Sequence, residues 1–110
     1  MVFKTASIVQ APDGDPEKHK ARIKTGMLDI TIVVIRMLDI DQAVKIAKDL
    51  VEKEGVQAIN LCPGFNHEMV AKVQETVGGR AAINVARGDI QSVFMIGQIL
   101  AEEGWFPQQH

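Results

Sequence analysis

Reactive and charged side chains gather in two short stretches of this chain. Cys62 and His67 flank the turn-forming pair Pro63-Gly64, Arg87 and Asp89 flank Gly88, and Arg36 closes a long apolar run. A thiol with an imidazole nearby suits nucleophilic or acid–base chemistry. A helix starting near Asn66 would lower the thiol's pKa and favour the neutral imidazole. Two guanidinium forks beside free backbone N–H groups suit something else, a small carboxylate or phosphate. Each residue also has a structural reading. Cys62 at the end of an apolar strand reads as a small hydrophobe, Arg36 and Arg87 as surface partners of Asp39 and Asp89, and His19 as solvent-facing.

These residues are placed by a phrase the chain uses twice. Ala58-Ile59-Asn60-Leu61-Cys62-Pro63-Gly64 is echoed twenty-four residues later by Ala82-Ile83-Asn84-Val85-Ala86-Arg87-Gly88. That interval holds a short strand, a turn and a helix, so the echo predicts two consecutive βα units with loops at matching strand ends. Alternation puts Asn60 on the face of Cys62 and Asn84 on the face of Ala86. If the two strands are neighbours in register, their amides can pair across the sheet.

The remaining elements follow from pattern. Phe3 to Gln10 reads as a first strand. Asp15-Pro16 offers an N-cap and a first-turn proline, which predicts a short solvated helix from Pro16 to about Lys24, ended by Gly26. Leu28 to Ile35 is apolar at nearly every position and reads as a strand covered on both faces. Ala43, Val44, Ile46, Ala47, Leu50 and Val51 form the stripe of a helix capped by Asp41 and ended by Gly55. Val56 to Cys62 is a third strand, Asn66 to about Val77 a helix stopped by Gly78-Gly79, and Ala81 to Ala86 a fourth strand. Asp89 caps a last helix to about Glu103, whose many apolar positions predict extensive burial. The tail from Trp105 to His110 is expected to be partly loose, with Trp105 and Phe106 as an anchor.

The expected fold is therefore α/β: a four-stranded, mostly parallel sheet built from four successive βα units, one domain over residues 1–110. Strand order 2-1-3-4 puts helices on both faces; order 1-2-3-4 puts all of them on one face, as in half of a (βα) barrel. Either leaves apolar sheet poorly covered, which favours a homo-oligomer.

Composition narrows the function. With 110 residues, 46% hydrophobic and 24% charged, the chain suits a globular domain with a real core. A formal net charge of -2 and no tyrosine argue against nucleic acid as a partner. The apolar runs fall short of a membrane span, and the N-terminus is too short and strand-like for a signal peptide. One cysteine cannot form an internal disulfide, which fits a cytoplasmic setting. His19, His67, His110 and Cys62 lack metal-ligand spacing, and neither a phosphate loop nor a dinucleotide fingerprint is present, so no metal or cofactor is expected.

A resemblance adds to this reading. Gln10-Ala11-Pro12 with Asp15-Pro16-Glu17-Lys18-His19, the segment Gln42 to Val51, and Gly55 to Ile59 through Leu61-Cys62-Pro63-Gly64-Phe65 resemble a family of roughly 100-residue prokaryotic α/β proteins classed only as a domain of unknown function. The resemblance implies a compact α/β fold in the cytoplasm, with no activity attached. Gly55-Val56-Gln57-Ala58-Ile59 is also loosely similar to a segment of aldolase-type (βα) barrels, although none of the strand ends carries the lysine a Schiff base needs.

In parallel α/β sheets, ligands bind where strands end and helices begin. The leading expectation is a homo-oligomeric module binding a small anionic metabolite there, through Gln10, Arg36, Gly64, Asn66, Arg87 and Gly88. The alternatives are a small lyase or isomerase acting on a carboxylated metabolite, with Cys62 or His67 as catalytic residue, and a structural assembly subunit.

Overall fold

The computed structural model describes residues 1–106; residues 107–110, the end of the expected loose tail, lie outside them. The strands are β1 (Phe3–Ala11), β2 (Lys20–Lys24), β3 (Leu28–Arg36), β4 (Ala58–Leu61) and β5 (Ala82–Val85). The helices are α1 (Ile40–Glu52), α2 (His67–Val77) and α3 (Ile90–Glu102), with one 3-10 turn at Gly78–Arg80. The sheet runs β2-β3-β1-β4-β5. β1 pairs in parallel with β3 and β4, β4 pairs in parallel with β5, and β2 is antiparallel to β3. The four expected strands thus stand in the order 2-1-3-4 and not in the sequential order of a half barrel.

The first expected βα unit is replaced by a hairpin. Asp15-Pro16 makes only one turn: the Asp15 carboxylate accepts from the Glu17 N–H at 3.0 Å, and its carbonyl accepts from the His19 N–H at 2.8 Å. From Lys20 the chain is a strand. Lys20, Arg22 and Lys24 alternate with Ala21 and Ile23, a period of two that a charged five-residue segment hides among helix-like charges. Thr25 closes the hairpin, its hydroxyl accepting from the N–H groups of Met27 at 3.2 Å and Leu28 at 2.9 Å. Gly26 therefore sits in a hairpin turn and ends no helix.

The core lies on one face of the sheet. Ala6 and Ile8 of β1, Val33 and Ile35 of β3, and Ile59 and Leu61 of β4 point to the same side and meet Ala43, Ala47 and Leu50 of α1 and Met69, Val73 and Val77 of α2. These residues are nearly inaccessible to solvent, and burying each large side chain among them is worth about 1.5–3 kcal/mol. The N-cap of α1 is Asp39, not Asp41; its carboxylate accepts from the Gln42 N–H at 3.0 Å. Gly78 ends α2 at φ 63°.

The opposite face has no such cover. Ile30, Ile32 and Val34 of β3 point there, with Ile32 37% exposed. The expectation that Leu28 to Ile35 is covered on both faces fails because the connection from β1 to β3 is a hairpin and supplies no helix. The expected burial of the last helix fails too: α3 has no buried residue, and Ile90 is 85% and Phe94 72% exposed.

One ion pair fastens the hairpin to the core side. Arg22 donates from Nε to Asp29 Oδ1 at 2.8 Å and from Nη2 to Oδ2 at 2.6 Å, with the Asp29 side chain only 5% exposed. Hydrogen bonding to Arg22 lowers the Asp29 pKa despite the opposing effect of burial, and Arg22 is raised by the same bonds. Asp29 therefore contributes stability above the pKa of an unfolded aspartate and loses it as pH falls through its lower folded value. In Arg22→Ala, Asp29 is left buried without its partner and resists ionisation. Urea denaturation of this variant is expected to show a stability deficit that is widest near about pH 7 and narrows toward about pH 3. A deficit independent of pH would remove the linkage.

Candidate functional site

At the carboxyl ends of β1 and β4 the chain makes two tight turns. After β4, the Phe65 N–H donates to the Cys62 carbonyl at 3.1 Å, with Pro63 and Gly64 at the corners. Proline favours the first corner because its φ is already set. This turn drops Phe65 fully into the core. After β1, Ala11 accepts from Gly14 at 3.0 Å and from Met37 at 2.9 Å. A Cβ at Gly14 would collide with the Ile35 carbonyl, so only glycine lets this turn lie on the end of β3.

Between these turns and α3 is a cavity of about 380 Å³ with an almost wholly apolar wall. Val9, Cys62 and Gly64 form its floor, Leu38 one side, and Leu100 and Trp105 the side toward α3. Gln10 is the main polar group in the lining. Its side chain is fixed at both ends: Oε1 accepts from the Leu38 N–H at 2.8 Å, and Nε2 lies 3.7 Å from Met69 Sδ. The first of these bonds holds Leu38 at φ 62°, the left-handed region that non-glycine residues rarely occupy. A Cβ at Gly64 would meet Cys62 Sγ at 3.5 Å and Gln10 Cδ at 3.7 Å, ordinary contacts with two residues of the wall, so a larger side chain there takes up space beside them.

The sequence-predicted residues divide. Gln10, Gly64 and Cys62 come together in the cavity wall. Asn66 caps α2, its side chain accepting from the Met69 N–H at 2.9 Å. His67, the first residue of α2, is exposed and forms no hydrogen bond with Cys62. Arg87 is a loop clamp: its Nη1 donates to the carbonyls of Pro63 at 3.2 Å and Phe65 at 3.1 Å, which ties the loop after β5 to the turn after β4. Arg36 is exposed, and neither arginine pairs with Asp39 or Asp89. Gly88 adjoins α3, where an added Cβ would come within 2.7 Å of Val93 Cγ2.

Asn60 and Asn84 are partners in register, but no hydrogen bond joins their amides. Among the described residues no group of three or more His, Cys, Asp or Glu is placed to hold a metal, and no helix is long and apolar enough to cross a membrane. Sequence reasoning missed Val9, Met37, Leu38, Ile96 and Leu100 as wall residues. The expected strand-end residues Gln10, Cys62 and Gly64 did point to this side, and the anchor pair Trp105-Phe106 also lies in the wall.

The chain belongs to a family of unknown function, DUF6506, whose model matches residues 3–100. No curated protein and no solved structure matches the chain.

Gln10 joins cavity to core, so its removal has a defined cost. Gln10→Leu keeps the volume but leaves the Leu38 N–H without its acceptor, a loss of about 1–3 kcal/mol. Chemical denaturation of this variant is expected to show that drop, and an unchanged midpoint would mean that water replaces the amide.

Proposed function

We propose that the protein is a homo-oligomeric binding module for a small organic acid with an apolar body. The observation that carries this reading is the apolar cavity at the carboxyl ends of β1 and β4, where ligands of parallel α/β folds collect. The apolar part of the ligand fills the space between Cys62, Leu38, Leu100 and Trp105. Its acid group lies at the rim, where Arg87 is anchored by one nitrogen and keeps further N–H donors, and where Arg36 precedes the wall residues Met37 and Leu38. Gln10 supplies a fixed amide within the wall.

The apolar wall shifts the ligand class away from bare phosphate or a short dicarboxylate. Such ions would have to shed water against a surface that offers little in return. The bare sheet face and the exposed α3 support the oligomeric part of the reading. The rival lyase or isomerase has only Cys62 in the wall, with His67 outside it.

Thermal denaturation with straight-chain carboxylates from acetate to decanoate, and with inorganic phosphate, tests the reading. The longer acids at about a hundredfold excess over Kd are expected to raise the midpoint by on the order of 10 °C. Phosphate should leave it unchanged. Gly64→Leu, which fills the floor, should abolish the shift, and replacing Arg36 and Arg87 together by alanine should reduce it. A flat response across the whole series sinks the binding module and leaves the structural assembly subunit. A separate check is thiol labelling: bound acid should slow alkylation of Cys62, and labelling that ignores the ligand would place the acid elsewhere.

A further inference from the structure

The uncovered sheet face carries a single charge, at its carboxyl-end margin. Alternation along β1 to β5 assigns one residue in two to this face, and of these only Arg36, the last residue of β3, is charged. The charges of the edge strand, Lys20, Arg22 and Lys24, all point to the other side, while Ala21 and Ile23 share the bare side with Ile30 and Ile32. A sheet face meant for water normally alternates with polar and charged groups.

α3 is the matching half. From Ile90 to Ala101 it has no charged residue. Ile96 and Leu100, one turn apart, face the cavity of their own chain. Ile90, Phe94 and Met95 lie on the remaining surface and are 85%, 72% and 64% exposed. The short link Ala86–Asp89 holds the helix at the carboxyl end of the sheet, so it does not fold back over Ile30 and Ile32 of its own chain.

We infer that α3 of a second copy of this chain lies on the bare face of β3 and β1, and that the exchange is mutual. This rests on the oligomeric part of the reading above and gives it an interface. One chain carries a sheet face lacking a helix, uncharged except for Arg36 at its margin, and a chargeless helix lacking a sheet. Two copies related by a twofold axis cover both at once and leave nothing to propagate. The area agrees. The exposed parts of Ile90, Phe94, Met95, Ile99, Ile23 and Ile32, with Phe3 at the margin, come to on the order of 600 Å² per copy. Stable pairs bury about 800 Å² per partner, including a polar rim. Here Asn60, Asn84, Gln91 and Gln98 are placed to supply that rim.

The interface also completes the cavity. Val9 and Cys62 point to the bare side of the sheet, so the cavity is the carboxyl end of the same apolar surface. The chain's own α3 walls one side, and the second copy's α3, laid across Ile32 and Val34, closes the open one.

Light scattering during size exclusion tests the arrangement with Ile32→Glu and Phe94→Lys, both at exposed positions. The wild type is expected to run as two chains and each variant as one chain with unchanged circular dichroism. Mixing the two variants should restore a two-chain species, because glutamate on one copy then meets lysine on the other while the second contact stays wild type. Should a variant fail to fold, Ile32→Cys and Phe94→Cys in a Cys62→Ser background, mixed with a short bismaleimide, should yield a cross-linked pair of unlike chains. Variants that remain two-chain, a mixture that stays separate, or no unlike cross-link would overturn this interface while leaving a different oligomer open. A one-chain wild type would overturn the interface and the oligomer together, and the carboxylate series still decides the cavity.

Discussion

Parallel neighbours need a crossover, and the crossovers from β3 to β4 and from β4 to β5 lay α1 and α2 side by side against one face. That face acquires the buried core from Ala6 to Val77. The link from β1 to β3 might have carried a helix to the other face, but β2 occupies it and binds along the edge of β3. A strand added at the edge lengthens the sheet without covering it. The uncovered far side, the exposed α3 and the open wall of the cavity all follow from this one choice of hairpin over helix.

The cavity shows how ordinary backbone demands shape a site. β4 ends at Leu61 opposite Ile8, while β1 runs on to Ala11, so the end of β1 stands above that of β4. Their chains must then turn in opposite senses, one through Gly14 onto the end of β3 and the other through Pro63-Gly64 into α2. The space between the turns is filled by neither, and Gln10 bridges it at the base. Arg87 spends one nitrogen on keeping the second turn in shape, which makes it a structural member before it is anything else. The arrangement brings together an apolar wall, an amide fixed at both ends, and a thiol.

Most of this architecture was legible in the sequence where the apolar pattern was long. β1, β3, α1 and α2 came out close to their observed bounds, and the echo at Asn60 and Asn84 marked a true register. Lys20 to Lys24 misled because three cations in five residues satisfy a solvated helix as well as an edge strand, and only pairing with Val33 to Asp29 decides between them. α3 misled for a different reason. Its apolar residues do announce a surface to be covered, yet periodicity cannot say whether the cover belongs to the same chain. The wall of the cavity was illegible because Val9, Leu38 and Leu100 are unremarkable apolar residues, brought together only by the turns. The two arginines drew the eye by charge, whereas the space beside them is apolar.

β2 is fully exposed and presents Lys20, Arg22 and Lys24 at one border of the sheet. A sheet extends by accepting another strand at a border, and indefinite growth needs two borders willing to accept. Here one border carries Lys20, Arg22 and Lys24, charged groups that an incoming strand would have to desolvate, two of them held by Glu54 and Asp29, and the short, uncharged β5 lies at the other. Crowded copies of this chain therefore meet with termination built in: a strand-on-strand pairing at β5 ends after a single step. The same hairpin that leaves one face bare thus puts charge along one edge of the sheet.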